Sequence, residues 1–246
     1  MKRDLDLLRY ILLLTENRLP EAKALLQQLA GMQLSVRIAE ELILPTLRAI
    51  ENDLFRGATN PTKTRIYAQL REIIEEMTLE RSAELERQPE QSKFEQPKMA
   101  IVPFMGEGDE IVGRVVARLL AAKGIATDLL SWRTLRSEKV ERLKELEAPW
   151  ILLSAIESRS VITVGRTAHS IKLEVPNALI LVGLWSLPTE GAARCVKRIK
   201  ESSGSALYTN IDQAVGAIAS MVPRVFGELN HESGIPRPQR PLVLPS

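Results

Sequence analysis

From Asp4 to about Glu86, apolar side chains return every three or four positions with almost no β-branched runs, a rhythm that predicts one helix after another. Leu7, Leu8, Ile11, Leu12 and Leu14 form the first stripe. Pro20 stands where a first-turn proline opens a second helix, which carries Ala22, Leu25, Leu26 and Leu29 to a stop near Gly31. Ser35 is placed to cap a third helix with Ile38, Leu42, Ile43, Leu47 and Ile50, in which Pro45 predicts a kink or break and Gly57 an end. Asn60-Pro61 then restarts a helix through Ile66, Leu70, Ile73, Ile74, Met77 and Leu79. Four or five such helices pack naturally as a small bundle, residues 1–86.

Residues 87–98 break the rhythm. This polar stretch holds two prolines and a single aromatic, too little apolar area to order itself, and reads as a linker. Short apolar runs then alternate with amphipathic segments. The strands predicted are Met99–Phe104, Ile125–Leu130, Trp150–Ser154, Ala178–Leu184 and Ala206–Thr209. The intervening helices are Ile111–Lys123, Leu135–Leu146, Ser158–Leu173, Glu190–Glu201 and Ile211–Val222, with Val161-Ile-Thr-Val164 a β-branched exception inside the third. This alternation implies an α/β fold, a five-stranded parallel, flavodoxin-like, doubly wound sheet over residues 99–222. Residues 223–246 form a proline-rich tail, expected to be extended.

Composition narrows the function classes. Of 246 residues, 45% are hydrophobic and 26% charged, which suits a globular chain. Lys and Arg total 33 against 31 Asp and Glu, a near balance that argues against a polyanion-binding surface, so no nucleic acid is expected. The balance hides an asymmetry: residues 1–90 hold 13 basic and 15 acidic side chains, leaving 20 and 16 for the rest. One cysteine, Cys195, and two histidines, His169 and His231, exclude an internal disulfide and a multi-cysteine metal site. The apolar stretch Leu7–Leu14 is interrupted by Arg9 and far shorter than a membrane span. No membrane insertion and a cytoplasmic setting are expected.

In an open parallel sheet, ligands settle beyond the carboxyl ends of the strands where strand order reverses. The loops to read are therefore Met105–Glu110, Ala155–Arg159 and Gly183–Pro188. Gly106 and Gly108 suggest a dinucleotide turn, but the third glycine of that pattern would fall at Ile111. Glu107, Asp109 and Glu110 also put three carboxylates at a helix start, where they complement the dipole and repel phosphate. An enzymatic reading through Glu107, Asp109, Glu110 and Arg159 matches no recognisable reaction. Ser154 lacks a nucleophile elbow or a neighbouring histidine, and reads as a turn residue.

A helical bundle, a linker and a five-stranded doubly wound domain resemble the two-domain cobalamin-binding modules of methionine synthase and of cobalamin-dependent regulators and methyltransferase partners. That family carries Asp-x-His-x-x-Gly after the first strand, with the histidine ligating cobalt. Matching Gly113 to the family glycine puts Gly108 at the aspartate and Glu110 at the histidine, so both key residues are absent. Ser154-Ala-Ile156 approximates the family's Ser-x-Leu, and Val182-Gly-Leu184, followed by Trp185, its glycine pair. The texture is also similar to the soluble cytoplasmic extension of bacterial permeases of the autoinducer exporter type, in Leu44–Gly57, Gly108–Ile111, Ser154-Ala155 and Val182–Trp185. This chain would be a detached version of such an extension.

The resemblance implies a non-catalytic regulatory or ligand-sensing module without the cobalt-ligating histidine, with a base-off cobalamin carrier or sensor as the alternative. An enzyme of unknown reaction is the third reading. No cofactor is expected under the first reading and cobalamin under the second. The ligand-binding residues expected are Glu107, Gly108, Asp109, Glu110, Gly113, Ser154, Glu157, Arg159, Gly183 and Trp185. The partner is a small molecule or a protein such as a membrane permease, and the oligomeric state is left open.

Overall fold

The computed structural model describes residues 2–51, 61–79, 98–156, 161–185, 197, 199 and 205–229. Gly57, Asn60, most of the predicted linker, Glu157, Arg159, Cys195, most of the helix predicted over Glu190–Glu201 and the tail from 230 lie outside the described residues.

The N-terminal region is helical as its rhythm predicts. Helix α1 spans Lys2–Thr15 and α2 spans Leu19–Ala30, with Pro20 in its first turn and Gly31 closing it at φ 57°. Ser35 caps α3 (Val36–Ile38), its hydroxyl accepting from the Ile38 N–H at 3.3 Å. The kink expected at Pro45 takes a specific form. A π-helical turn over Ala39–Ile43 leads into α4 (Leu44–Ala49), and the Leu44 N–H reaches back five residues to the Ala39 carbonyl. Proline has no N–H for the carbonyl four residues upstream, and a wider turn absorbs that mismatch without ending the helix.

Helix α5 (Pro61–Glu76) stops earlier than its apolar stripe suggests. Thr78 and Leu79 instead form strand β2, pairing in parallel with β1 (Gln33–Leu34) across more than forty residues of chain. Two-residue strands have no periodicity to read, so this pair is a tertiary feature.

The second region holds five parallel strands, β3 (Lys98–Pro103), β4 (Ala126–Leu129), β5 (Trp150–Ala155), β6 (Leu179–Leu184) and β7 (Ala206–Tyr208), in the order β4-β3-β5-β6-β7. The sheet is the predicted doubly wound, flavodoxin-like one. Its helices are α6 (Glu107–Ala121), α7 (Arg136–Leu146), α8 (Val161–Glu174) and α9 (Ile211–Leu229). Two helix boundaries depart furthest from expectation. Helix α6 begins four residues earlier than its apolar stripe, and α9 continues through Pro223 to Leu229, so Pro223 does not open the tail. The β-branched run Val161–Val164 sits inside α8. Among the described residues, no helix is long and apolar enough to cross a membrane.

Strand alternation sorts the core into two layers. Met99, Ile101, Leu152 and Leu181 face α6, α9 and the N-terminal helices, in one continuous core running from Tyr10 to Ile218. Ala100, Val102, Ile151, Leu153 and Val182 face α7 and α8 in a second. The helical region therefore docks on one face of the sheet. Arg118 of α6 donates to the carbonyls of Ile74 and Met77 at the end of α5, and Arg114 pairs with Glu75 at 3.3 Å. The Asp212 N–H at the start of α9 donates to Glu40 at 3.1 Å.

Candidate functional site

Strand order reverses between β3 and β5, so the crevice beyond their carboxyl ends is the place to look for a site. Asp109 spans it. One carboxylate oxygen accepts from the N–H groups of Met105 and Gly106, at 2.8 and 3.1 Å, and the other from Ile156 at 2.8 Å. The first two bonds start α6 early, because a carboxylate in the third helical position ties down the N-cap amide. The third pins the loop after β5 to the loop after β3. Burial raises the pKa of Asp109, and its three backbone partners oppose that shift.

A second set of contacts runs from Asp109 into the sheet. Ser154 donates to the Asp109 carbonyl at 3.2 Å, while the Trp185 indole N–H donates to the Ser154 hydroxyl at 2.9 Å. The Trp185 ring is fully buried and lies against Gly183, where a Cβ would stand 2.0 Å from Cζ2 of that ring. Glycine at 183 is thus the condition for this indole position.

The N-terminal helices reach into the same place. At Gly108 a Cβ would stand 2.8 Å from Glu51 Oε1 and 3.4 Å from the Tyr67 hydroxyl, so the missing side chain admits both. Tyr67 donates to Glu51 in a short hydrogen bond, and Lys63 pairs with the other Glu51 oxygen at 2.6 Å. Burial and the Glu51 carboxylate push the Tyr67 phenol well above its usual pKa. Arg71 forms an ion pair with Glu107.

The expected site residues thus separate. Gly108, Asp109, Ser154, Gly183 and Trp185 form one connected cluster, and Glu107 borders it through Arg71. Glu110 turns away, accepting from the Trp132 N–H at 2.9 Å and the Ser131 hydroxyl at 3.2 Å, with Arg114 at 3.6 Å. Gly113 lets α6 approach the sheet, since a Cβ there would meet Leu129 at 2.9 Å and Ile101 at 3.1 Å. Glu157 and Arg159 lie outside the described residues. Glu51, Lys63, Tyr67 and Arg71 were not expected at the site, because nothing in a helical repeat marks which face docks on a distant strand end. Among the described residues, no group of three or more His, Cys, Asp or Glu side chains is placed to hold a metal ion.

No family model and no curated protein sequence matches the chain. Solved structures do. The structure of the Methanosarcina barkeri monomethylamine corrinoid protein, at 15% identity, covers 87% of this chain and 96% of its own, with a TM-score of 0.58. The two chains share a fold. A novel cobalamin-binding protein from Desulfitobacterium hafniense DCB-2, at 14% identity, covers 89% of this chain and 99% of its own with a TM-score of 0.42. The fold is thus the one the M. barkeri corrinoid protein has, in line with the resemblance.

Proposed function

We propose that the chain is a non-catalytic, ligand-responsive module of cobalamin-binding-like architecture, whose output is the placement of the N-terminal helices over the sheet. The observation that carries this reading is that Glu51 and Tyr67 occupy the crevice beyond β3 and β5, where open sheets of this kind take their ligands. Release of the Lys63–Glu51–Tyr67 and Arg71–Glu107 contacts would expose that crevice and change the surface offered to a partner protein. By the resemblance, a bacterial membrane permease is the partner proposed.

The residues present do not fit a corrinoid ligated from the protein. Glu110, at the histidine position, is already bonded to the segment after β4, and a carboxylate is a harder donor than imidazole for cobalt. The indole of Trp185 fills the space above Gly183. No cofactor is therefore part of the reading. An enzymatic role for the acidic loop is disfavoured on similar grounds, since Glu107 is paired with Arg71, and Asp109 is saturated by three backbone amides.

The second reading, a base-off cobalamin carrier without a protein ligand, is favoured by the shared fold with the M. barkeri corrinoid protein. Reconstitution with hydroxocobalamin followed by gel filtration separates the two. A colourless protein is expected; a stable coloured complex would overturn the first reading in favour of the second.

A further inference from the structure

The opposite face of the sheet carries a cavity of about 410 Å³ between the carboxyl ends of β3 and β5 and the helices α7 and α8. This volume lies in the range that takes a small organic ligand. Its walls are apolar, with Val102 and Leu153 from the strands, Leu143 from α7 and Ile171 from α8. Among the described residues its charge is one-sided: Arg133, Arg136 and Lys139 line it and no carboxylate does, in a chain with nearly equal numbers of acids and bases.

Lys139 is the cation set deepest. It is half-buried, its ammonium donates to the carbonyls of Pro103 and Trp132 over 3.4 Å each, and among the described residues no carboxylate stands within ion-pair distance of it. Long bonds to neutral acceptors leave this half-buried ammonium only partly compensated, with Asp109 and Glu110 acting on it from beyond ion-pair distance. Arg136 is held by Ser170 at 2.6 Å, and Arg133 lies over the Trp132 ring at 5.4 Å. At the mouth, Met105 and Leu135 are 69% and 65% exposed, an apolar rim that water solvates badly.

We propose that this cavity binds a small amphipathic organic monoanion, an aromatic or branched-chain carboxylate or sulfonate, with its apolar body between the sheet and α7/α8 and its charged head at Lys139. The apolar walls supply burial, and the charged head replaces two long neutral contacts with a charge-assisted one. The site names a ligand for the responsive module proposed above and in that sense rests on it, but occupancy and response are separately measurable.

The test uses the full chain and two fluorescent probes of nearly the same shape, anionic 8-anilinonaphthalene-1-sulfonate and neutral N-phenyl-1-naphthylamine. Saturable one-to-one binding of the anion is expected, displaced by phenylacetate. Lys139→Gln weakens the anion about tenfold, the value of one charge-assisted contact, and leaves the neutral probe unchanged. Thr167→Trp, which projects a bulky ring into the cavity from a half-buried position on α8, abolishes both. Circular dichroism and a cooperative melt establish that each variant is folded, and Lys139→Gln carries the test if Thr167→Trp does not fold. Unsaturable anion binding, or equal effects of Lys139→Gln on both probes, would overturn the site. If binding is as expected but amide exchange in α4 and α5 is unchanged by the bound anion, the site stands and the responsive reading fails.

Discussion

Asp109 connects three backbone amides from two loops, a task that only an acceptor pair performs. Asp109→Asn replaces one acceptor oxygen with a donor and leaves at least one buried amide unmet, so urea denaturation is expected to show a loss of about 1–3 kcal/mol. Gly183→Ala is expected to be similarly costly, about 1–3 kcal/mol of overpacking, because the new Cβ falls within the Trp185 ring. Combining it with Trp185→Leu should recover part of that loss; a strictly additive double variant would mean that the two do not compete for one space. Lys139 offers a pH signature. Burial lowers its pKa from the model-compound value of 10.5, against the opposing pull of Asp109 and Glu110. Anion binding requires the ammonium, so affinity for the sulfonate probe is expected to fall as pH rises toward 10.5, earlier than for an ordinary lysine. Lys139→Arg, which keeps its charge, should flatten that profile.

At the scale of elements, the ends of helices are decided by partners from elsewhere. Helix α5 stops at Glu76, and the carbonyls of Ile74 and Met77 at and beyond its last turn are taken by Arg118 of α6. Arg118→Met keeps the aliphatic packing and removes both bonds. It should cost about 1–3 kcal/mol in denaturant unfolding and speed amide exchange in β2 more than in β5. The apolar stripe of α5 was legible to its last turn, but the β1–β2 pair was not, because two residues on each side carry no pattern until the chain brings them together. Helix α8 was expected despite Val161–Val164. The stripe of Val164, Ala168 and Ile171 buried against the sheet outweighs the modest helix penalty of branched side chains. Pro223 misled for the opposite reason. Its fixed φ suits a helix, and the α9 backbone passes through it with one amide missing.

For the whole molecule, the decisive feature is that residues on either side of the predicted linker share a core. Tyr10, Leu47, Ile73, Val115, Leu152 and Ile218 belong to one continuous apolar cluster. Thermal unfolding is therefore expected as a single transition with equal calorimetric and van't Hoff enthalpies; two separated transitions would show that the helices and the sheet are energetically independent. The hydrophobic periodicities determined the helical N-terminal region and the parallel sheet with its helices, because a period of 3.6 or an apolar run flanked by turns is a local property of the chain. They also put Gly108, Asp109, Ser154, Gly183 and Trp185 at or just beyond strand ends, since strand ends are readable once the strands are. Tertiary structure alone decided that Glu51 and Tyr67 reach Gly108, that Glu110 turns to the segment after β4, and that Lys139 lines a cavity in which no described carboxylate takes part. Those outcomes depend on which helix faces meet across the sheet, and on the space left where they do not.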